Sequence, residues 1–215
     1  RVQLGGVHVL GSPFQVSVLA ARTDAKTSTA QGAGLRTCVA GTPASFTILA
    51  RDEFGNLRPV CGDDFEVALT GPETPAGGSH VHGIVSENGN GSYVVEYAVT
   101  SAGLYHVAVT LRGRHIAGSP FSMQTLPSAT RSSHSVAFGA GLSRAVAGKL
   151  NEFNIVAKDT YGNAEHASAT GNFSVRLTGP ATVTAKVVDS LTGVYTASYV
   201  PTLAGSYAVH VAYNE

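Results

Sequence analysis

Short runs in which β-branched and aromatic residues sit at alternate positions recur along the chain. Phe46-Thr47-Ile48-Leu49-Ala50, Phe65-Glu66-Val67-Ala68-Leu69, Tyr93-Val94-Val95-Glu96-Tyr97 and Tyr105-His106-Val107-Ala108-Val109 are the clearest. A period of two places every second side chain on one face of an extended backbone, so each run predicts a half-buried β-strand. Turn chemistry separates them: Glu53-Phe54-Gly55-Asn56, Thr70-Gly71-Pro72, Asn88-Gly89-Asn90-Gly91 and Ser101-Ala102-Gly103. No stretch sustains a helical apolar stripe. Roughly seven short strands per ~100 residues, without crossover helices, predict an all-β chain folded as antiparallel sandwiches of immunoglobulin type.

The pattern repeats. His115-Ile116-Ala117-Gly118-Ser119-Pro120-Phe121 is preceded 107 positions earlier by His8-Val9-Leu10-Gly11-Ser12-Pro13-Phe14. At the same spacing, Val39-Ala40-Gly41 through Asp52-Glu53-Phe54-Gly55-Asn56 returns as Val146-Ala147-Gly148 through Asp159-Thr160-Tyr161-Gly162-Asn163. Leu69-Thr70-Gly71-Pro72 returns as Leu177-Thr178-Gly179-Pro180, and Ala102-Gly103-Leu104-Tyr105 as Ala204-Gly205-Ser206-Tyr207. Self-similarity at this period implies a duplicated domain, too long a unit for a solenoid. The expected division is the last strand of a preceding unit (1–19), a complete unit (20–126) and a further unit lacking its closing strand (127–215), read as a piece of a longer array.

Composition narrows the function. Of 215 residues, 43% are hydrophobic and 13% charged, with formal net charge zero, enough apolar material for two cores. No basic block offers the clustered Lys/Arg surface that phosphate backbones need, so nucleic acid is not expected as a partner. No apolar run approaches the ~20 residues that span a bilayer, so any membrane link belongs to other parts of the parent chain. Cys38 and Cys61 are the two cysteines. Their counterparts in the next unit are Ala145 and Ser168. An extended strand between them would hold them about 25 Å apart, beyond disulfide reach unless the loop around Cys61 folds back. Two free thiols suit a reducing compartment.

The recurrent motifs have mechanical readings. In Gly-Ser-Pro-Phe, proline sits at a strand start, where its missing N–H is tolerated, and the phenylalanine anchors the strand in the core. In Asp-x-aromatic-Gly-Asn, the Asp bonds backbone N–H groups of its own loop. Ala-Gly-x-Tyr resembles a tyrosine corner, with the rings of Tyr105 and Tyr207 buried and their hydroxyls tied to backbone.

Taken in order, Gly32-Ala33-Gly34-Leu35, Val39-Ala40-Gly41 followed by Phe46, Asn90 through Tyr97, Ala102-Gly103-Leu104-Tyr105 and His115 through Phe121 resemble filamin repeats. Nearly the whole chain is covered. The resemblance implies partner binding by β-augmentation, with a peptide strand added beside strand C in the groove between C and D. Carried onto this sequence, that groove is lined by Phe65, Val67 and Leu69 with Val81 and Ile84. In the next unit it is lined by Phe173, Val175 and Leu177 with Val183 and Val187. The competing reading is that these residues form the core. No stretch resembles the actin-binding domain that begins animal filamins, so actin cross-linking is not carried over.

Other candidate chemistry is thin. His80 and His82 share a strand face but lack a third metal ligand, which favours two surface histidines. Asp52, Asn56, Asp63 and Asp64 raise calcium as a question. Only Asp52 and Asn56 recur, which favours turn stabilisation, so no metal or cofactor is expected. Asn90-Gly91-Ser92 and Asn172-Phe173-Ser174 are glycosylation sequons of a kind expected by chance. There is no nucleophile elbow, phosphate loop, paired-carboxylate or Cys–His signature, so no catalytic residue is assigned.

The expected function is a non-enzymatic structural and protein-binding array. A cell-surface adhesion setting is preferred, because the Asp-x-[Phe/Tyr]-Gly-Asn loop is similar to that of bacterial adhesin repeats and gamete-expressed adhesion proteins carry filamin repeats outside the cell. The alternatives are an intracellular cytoskeletal or ciliary scaffold, and the non-catalytic arm of a larger enzyme. The last unit is expected to leave a hydrophobic gap that Ser12–Val18 of a neighbouring molecule could fill; a segment that pairs with nothing, or packs on its own chain, defeats that idea.

Overall fold

The computed structural model describes residues 3–74, 77–165 and 172–214. Ahead of the first sandwich, β1 (Gln3–Leu4) and β2 (Val7–His8) form a small antiparallel hairpin. Repeat 1 follows with β3 (Thr29–Gln31), β4 (Thr37–Val39), β5 (Ala44–Leu49), β6 (Phe65–Thr74), β7 (Gly77–His82), β8 (Ile84–Glu87), β9 (Ser92–Tyr97), β10 (Gly103–Leu111), β11 (Arg114–His115) and β12 (Phe121–Leu126). Repeat 2 contains β13 (Val136–Phe138), β14 (Asn151–Val156), β15 (Asn172–Thr178), β16 (Thr182–Thr184), β17 (Lys186–Asp189), β18 (Val194–Tyr199) and β19 (Ala208–Asn214).

In repeat 1 one sheet has the order β3-β5-β9-β8 and the other β4-β12-β10-β6-β7, with β11 folded against β10. All ladders are antiparallel except β12 with β4, which run in the same direction. The period-two pattern does what it predicts. Phe46 and Ile48 of β5, Tyr93, Val95 and Tyr97 of β9, Phe65, Val67 and Leu69 of β6, and Tyr105, Val107 and Val109 of β10 all point between the sheets. Phe65 meets the Tyr93 ring edge-on at 4.9 Å, and Phe173 and Tyr195 repeat that pair at 4.9 Å in repeat 2.

The chain changes sheets between β3 and β4 at Gly32–Leu35. Gly34 lies so close to the Ser45 backbone that a methyl group would not fit, and Gly141 is pressed in the same way against Glu152. The Tyr97 and Tyr199 hydroxyls donate to the carbonyls of Gly34 and Gly141. These are the tyrosines whose buried rings tie to backbone in both repeats. The expectation for Tyr105 and Tyr207 needs correction. Tyr105 is buried, but its hydroxyl meets the Ser79 side chain at 3.0 Å. Tyr207 bonds the Leu203 carbonyl at 3.0 Å, but its ring is only half-buried. Each satisfies one half of the motif.

Repeat 2 has sheets β13-β14-β18-β17 and β16-β15-β19. It lacks, among the described residues, the counterparts of β4 and β12. The two absences are linked, because β4 has β12 as its strand partner in repeat 1. Ser12–Val18 adopts no ladder with any described residue, and Val16 and Val18 are 83% and 90% exposed. Among the described residues the segment joins no strand, so the structure lends the strand-donor idea no support.

Cys38 is a free, buried thiol whose sulfur lies 3.3 Å from Thr125 Oγ1 and 3.5 Å from Met123 Sδ; Cys61 is free and half-buried. Ser168, the counterpart of Cys61, lies outside the described residues.

The repeats meet through the Asp-x-aromatic-Gly-Asn loop of repeat 2. The Asn163 side chain donates to the Thr100 carbonyl at 2.8 Å and accepts the Ala102 N–H at 2.8 Å. Tyr161 lies over Gly41 so closely that any side chain at position 41 would overlap its ring.

Candidate functional site

The expected groove is built around β6. One side of β6 pairs with β10 from Phe65 to Thr70. The other side pairs with β7, opposing Ala68 to His82 and Leu69 to Val81 and continuing, past an irregularity, to Thr74 and Gly77. The chain then crosses at Gly83, whose N–H donates to the Val67 carbonyl at 3.0 Å, and continues as β8 in the opposite sheet. The strand after β6 is thus shared between sheets. Its first half covers the edge that the resemblance left open, and the free outer edge of this sheet is β7. Apart from the irregularity at Gly71–Pro72, Phe65–Val67 are the part of β6 beyond the β7 ladder. Repeat 2 repeats the arrangement, with β16 beside β15 and β17 beside β18.

The expected lining residues fall into two groups. Phe65, Val67, Leu69, Phe173, Val175 and Leu177 are core side chains, Val67 being 2% exposed. Val81, Val183 and Val187 are half-buried against those cores. Ile84 points outward on β8 and is 68% exposed. A pocket at the Gly83 crossing brings together Phe65, Val67, His82, Gly83 and Val85. His80 and His82 are exposed on β7, on the face opposite Val81.

The acidic residues are held by donors of the protein itself. Asp52 accepts the Phe54 and Asn56 N–H groups at 3.0 and 2.9 Å, the Asn56 amide at 3.0 Å and the Ala21 N–H at 2.9 Å. The Asn56 amide foremost, with these backbone donors, holds its carboxyl below the ordinary range. Asp159 accepts Tyr161 and Asn163 N–H at 2.9 Å each, the Asn163 amide at 2.8 Å and Ser128 N–H at 2.9 Å. Burial alone would raise its pKa; the donors outweigh burial and hold it down. In repeat 1 a second carboxylate, Asp63, meets Arg58 at 3.0 Å, Arg112 at 3.4 Å and the Thr23 hydroxyl at 2.6 Å. Burial, with the Asp63 carboxylate close by, pushes the neighbouring Tyr93 hydroxyl up. Nothing in the local sequence signals this cluster, whose members are drawn from four separate parts of the chain. Asn90 accepts the Ser92 N–H at 3.2 Å as a turn residue, and of Asn172 only the backbone is described.

The Filamin/ABP280 repeat family matches residues 22–122 and 129–215. Filamin-C of Rattus norvegicus is 32% identical over 147 residues, 68% of this chain and 5% of that protein. Filamin-A of Drosophila melanogaster is 31% identical over 213 residues, 98% of this chain and 9% of that protein. Tripartite motif-containing protein 2 of Bos taurus is 32% identical over 123 residues, 57% and 15% respectively. The chain therefore spans a small part of the length of these relatives. Among solved structures, the Escherichia coli adhesin FdeC aligns with a TM-score of 0.55 at 22% identity, over 91% of this chain and 62% of that one. Invasin, a bacterial integrin-binding protein, aligns with a TM-score of 0.60 at 15% identity, over 88% and 37%. At those identities the likeness is one of fold. Modules of this kind are structural and protein-binding rather than catalytic. With two matched units and the duplicated sandwich beneath them, the chain belongs to the filamin repeat family.

Proposed function

We propose that this chain is a spacing and docking segment of a larger protein, and that a protein partner adds an extended strand along the outer edge of β7. The observation that carries this reading is the position of β7 as the end strand of its sheet. A strand there offers backbone N–H and C=O groups to a peptide, and alternate side chains supply selectivity. Exposed Ile84 and the pocket at Gly83 give an apolar partner residue a place to sit. The core residues Phe65 and Val67 form the floor of that pocket, and Leu69 stays in the core beneath the edge.

The setting we infer is a cell-surface adhesion protein. The loop chemistry supports it, as does the shared fold of an adhesin and an integrin-binding protein. The second reading, an intracellular scaffold, is favoured by the higher identity to filamins and by the free thiols. Immunostaining of the native protein on intact and permeabilised cells separates them.

Edge binding is tested by capture experiments with the 215-residue chain and its Ile84→Asp and His82→Asp variants. Both positions are exposed, so thermal stability stays unchanged while capture is lost. Equal capture by all three proteins refutes the edge. Val67→Asp is the wrong probe, because it would bury a carboxylate in the core.

A further inference from the structure

The ladder between β6 and β7 fixes what the open edge of β7 presents. The Gly83 N–H donates to the Val67 carbonyl at 3.0 Å. Hydrogen-bonded and non-hydrogen-bonded pairs alternate along antiparallel strands. Leu69 and Val81 are therefore a bonded pair, and Ala68–His82 and Thr70–His80 are non-bonded pairs. It follows that the backbone N–H and C=O groups of His80 and His82 turn away from β6, toward the open side. An incoming strand bonds to the backbone of these two residues. Its own residues opposite them then share the face on which their rings stand.

The side chains of β7 alternate. Ser79 and Val81 point into the sandwich, Ser79 Oγ meeting the Tyr105 hydroxyl at 3.0 Å and Val81 packing on the core. His80 and His82 stand exposed on the outer face, with uncharged Thr70 and Ala68 as their ladder neighbours. The titratable groups that share this face are few. Glu66 of β6 borders the Gly83 pocket with His82, and His106 of β10 lies across Thr70 from His80. His115 of β11 is turned to Ser119 Oγ at 2.9 Å, and Glu87 of β8, in the opposite sheet, accepts the Gly62 N–H at 2.8 Å. The ion pairs among the described residues belong to Asp63, so neither ring on β7 is matched by a carboxylate.

Repeat 2 supplies the comparison. There the Ala185 N–H donates to the Val175 carbonyl at 3.0 Å, giving β16 the same phase, and Val183 takes the place of Val81. The outward positions are Thr182 and Thr184. The histidine pair is thus an addition to a common frame, made at the two residues whose backbone an incoming strand must use.

We propose that β7 takes an acidic extended segment of a partner protein, with Asp or Glu at two alternate positions opposite His80 and His82 and an apolar residue between them against Val81. This rests on the reading of β7 as the docking edge. Opposite charges facing each other across a ladder attract, and histidine gains its proton as pH falls from about 8 to about 5. The complex therefore tightens on mild acidification, a response that the threonines of β16 cannot give.

The test titrates the 215-residue chain with three short synthetic peptides and follows amide NMR shifts at about pH 6 and about pH 8. One peptide alternates valine and glutamate, and the second has glutamine for glutamate. The third is the glutamate peptide with each glutamate nitrogen methylated, which removes the N–H groups meant for His80 and His82. The glutamate peptide should shift residues 78–84 and bind about tenfold tighter at the lower pH, as two such pairs allow. It should also exceed the glutamine peptide by that factor there, and the methylated peptide should not bind. The double variant His80→Gln, His82→Gln alters exposed side chains, keeps the melting temperature, and should bind the glutamate and glutamine peptides equally at both pH values. Equal binding of those two peptides by wild type at the lower pH, still at 78–84, overturns the acidic preference and leaves the edge reading standing. Shifts elsewhere, or binding kept by the methylated peptide, overturn the edge reading as well. No binding of the glutamate peptide up to about 1 mM at the lower pH also overturns the proposal.

Discussion

Asp159→Asn tests how much one buried carboxylate does. The side chain is fully buried, and its oxygens are shared among the Tyr161, Asn163 and Ser128 N–H groups and the Asn163 amide. The isosteric amide can keep its oxygen toward the Tyr161 and Asn163 N–H groups. Its NH2 then faces the Ser128 N–H and the Asn163 amide nitrogen, donor against donor, while the Ser128 hydroxyl, 3.3 Å from the same position, can turn to accept from it. An unsatisfied buried donor costs about 1–3 kcal/mol, so the expected loss for the two is roughly 2–4 kcal/mol after local relaxation. The sign of the pH dependence is fixed by the lowered pKa in the folded state. The benefit is full above the ordinary aspartate value of 3.8 and is lost as pH falls through the lower folded value. The gap between wild type and variant is therefore widest near neutrality and closes in acid. Urea unfolding followed by tyrosine fluorescence, at a series of pH values, reads both quantities. A stability loss under about 0.5 kcal/mol, the range of ordinary surface changes, would refute the reasoning, and so would a gap that does not narrow in acid. The variant also frees Asn163, so small-angle scattering should report a looser hinge between the repeats.

Phe65→Ala removes one ring of the inter-sheet pair with Tyr93, and chemical denaturation should show a loss of about 3–5 kcal/mol. Gly141→Ala drives a methyl into the Glu152 backbone; NMR dispersion of repeat 2 should collapse while repeat 1 keeps its signals. Cys61 should react with a thiol reagent in the native protein, whereas buried Cys38 should react only at the rate of unfolding; equal native reactivity would contradict its burial.

The alternating runs were sufficient to locate the main strands and their core faces, because burial of one sheet face imposes a period of two on the residues themselves. What local pattern does not contain is which strand lies beside which. Val81 in the sequence reads as groove lining; in three dimensions its strand bonds to β6 and moves the free edge outward. Tyr97 and Tyr199 look like ordinary core aromatics, and their role depends on Gly34 and Gly141, some 60 residues away. Asn163 reads as a turn residue, which it is. Its second use depends on Thr100 and Ala102, which the fold places across from it. The core strands were legible, and the order of strands at the sheet edge was not.

The parallel pairing of β4 with β12 has a mechanical consequence. A chain under tension is drawn out through the start of one strand and the end of the other, in opposite directions along the same ladder. The bonds that join Thr37–Val39 to Gln124–Leu126 are then sheared together instead of being unzipped one by one. That ladder therefore resists extension in shear.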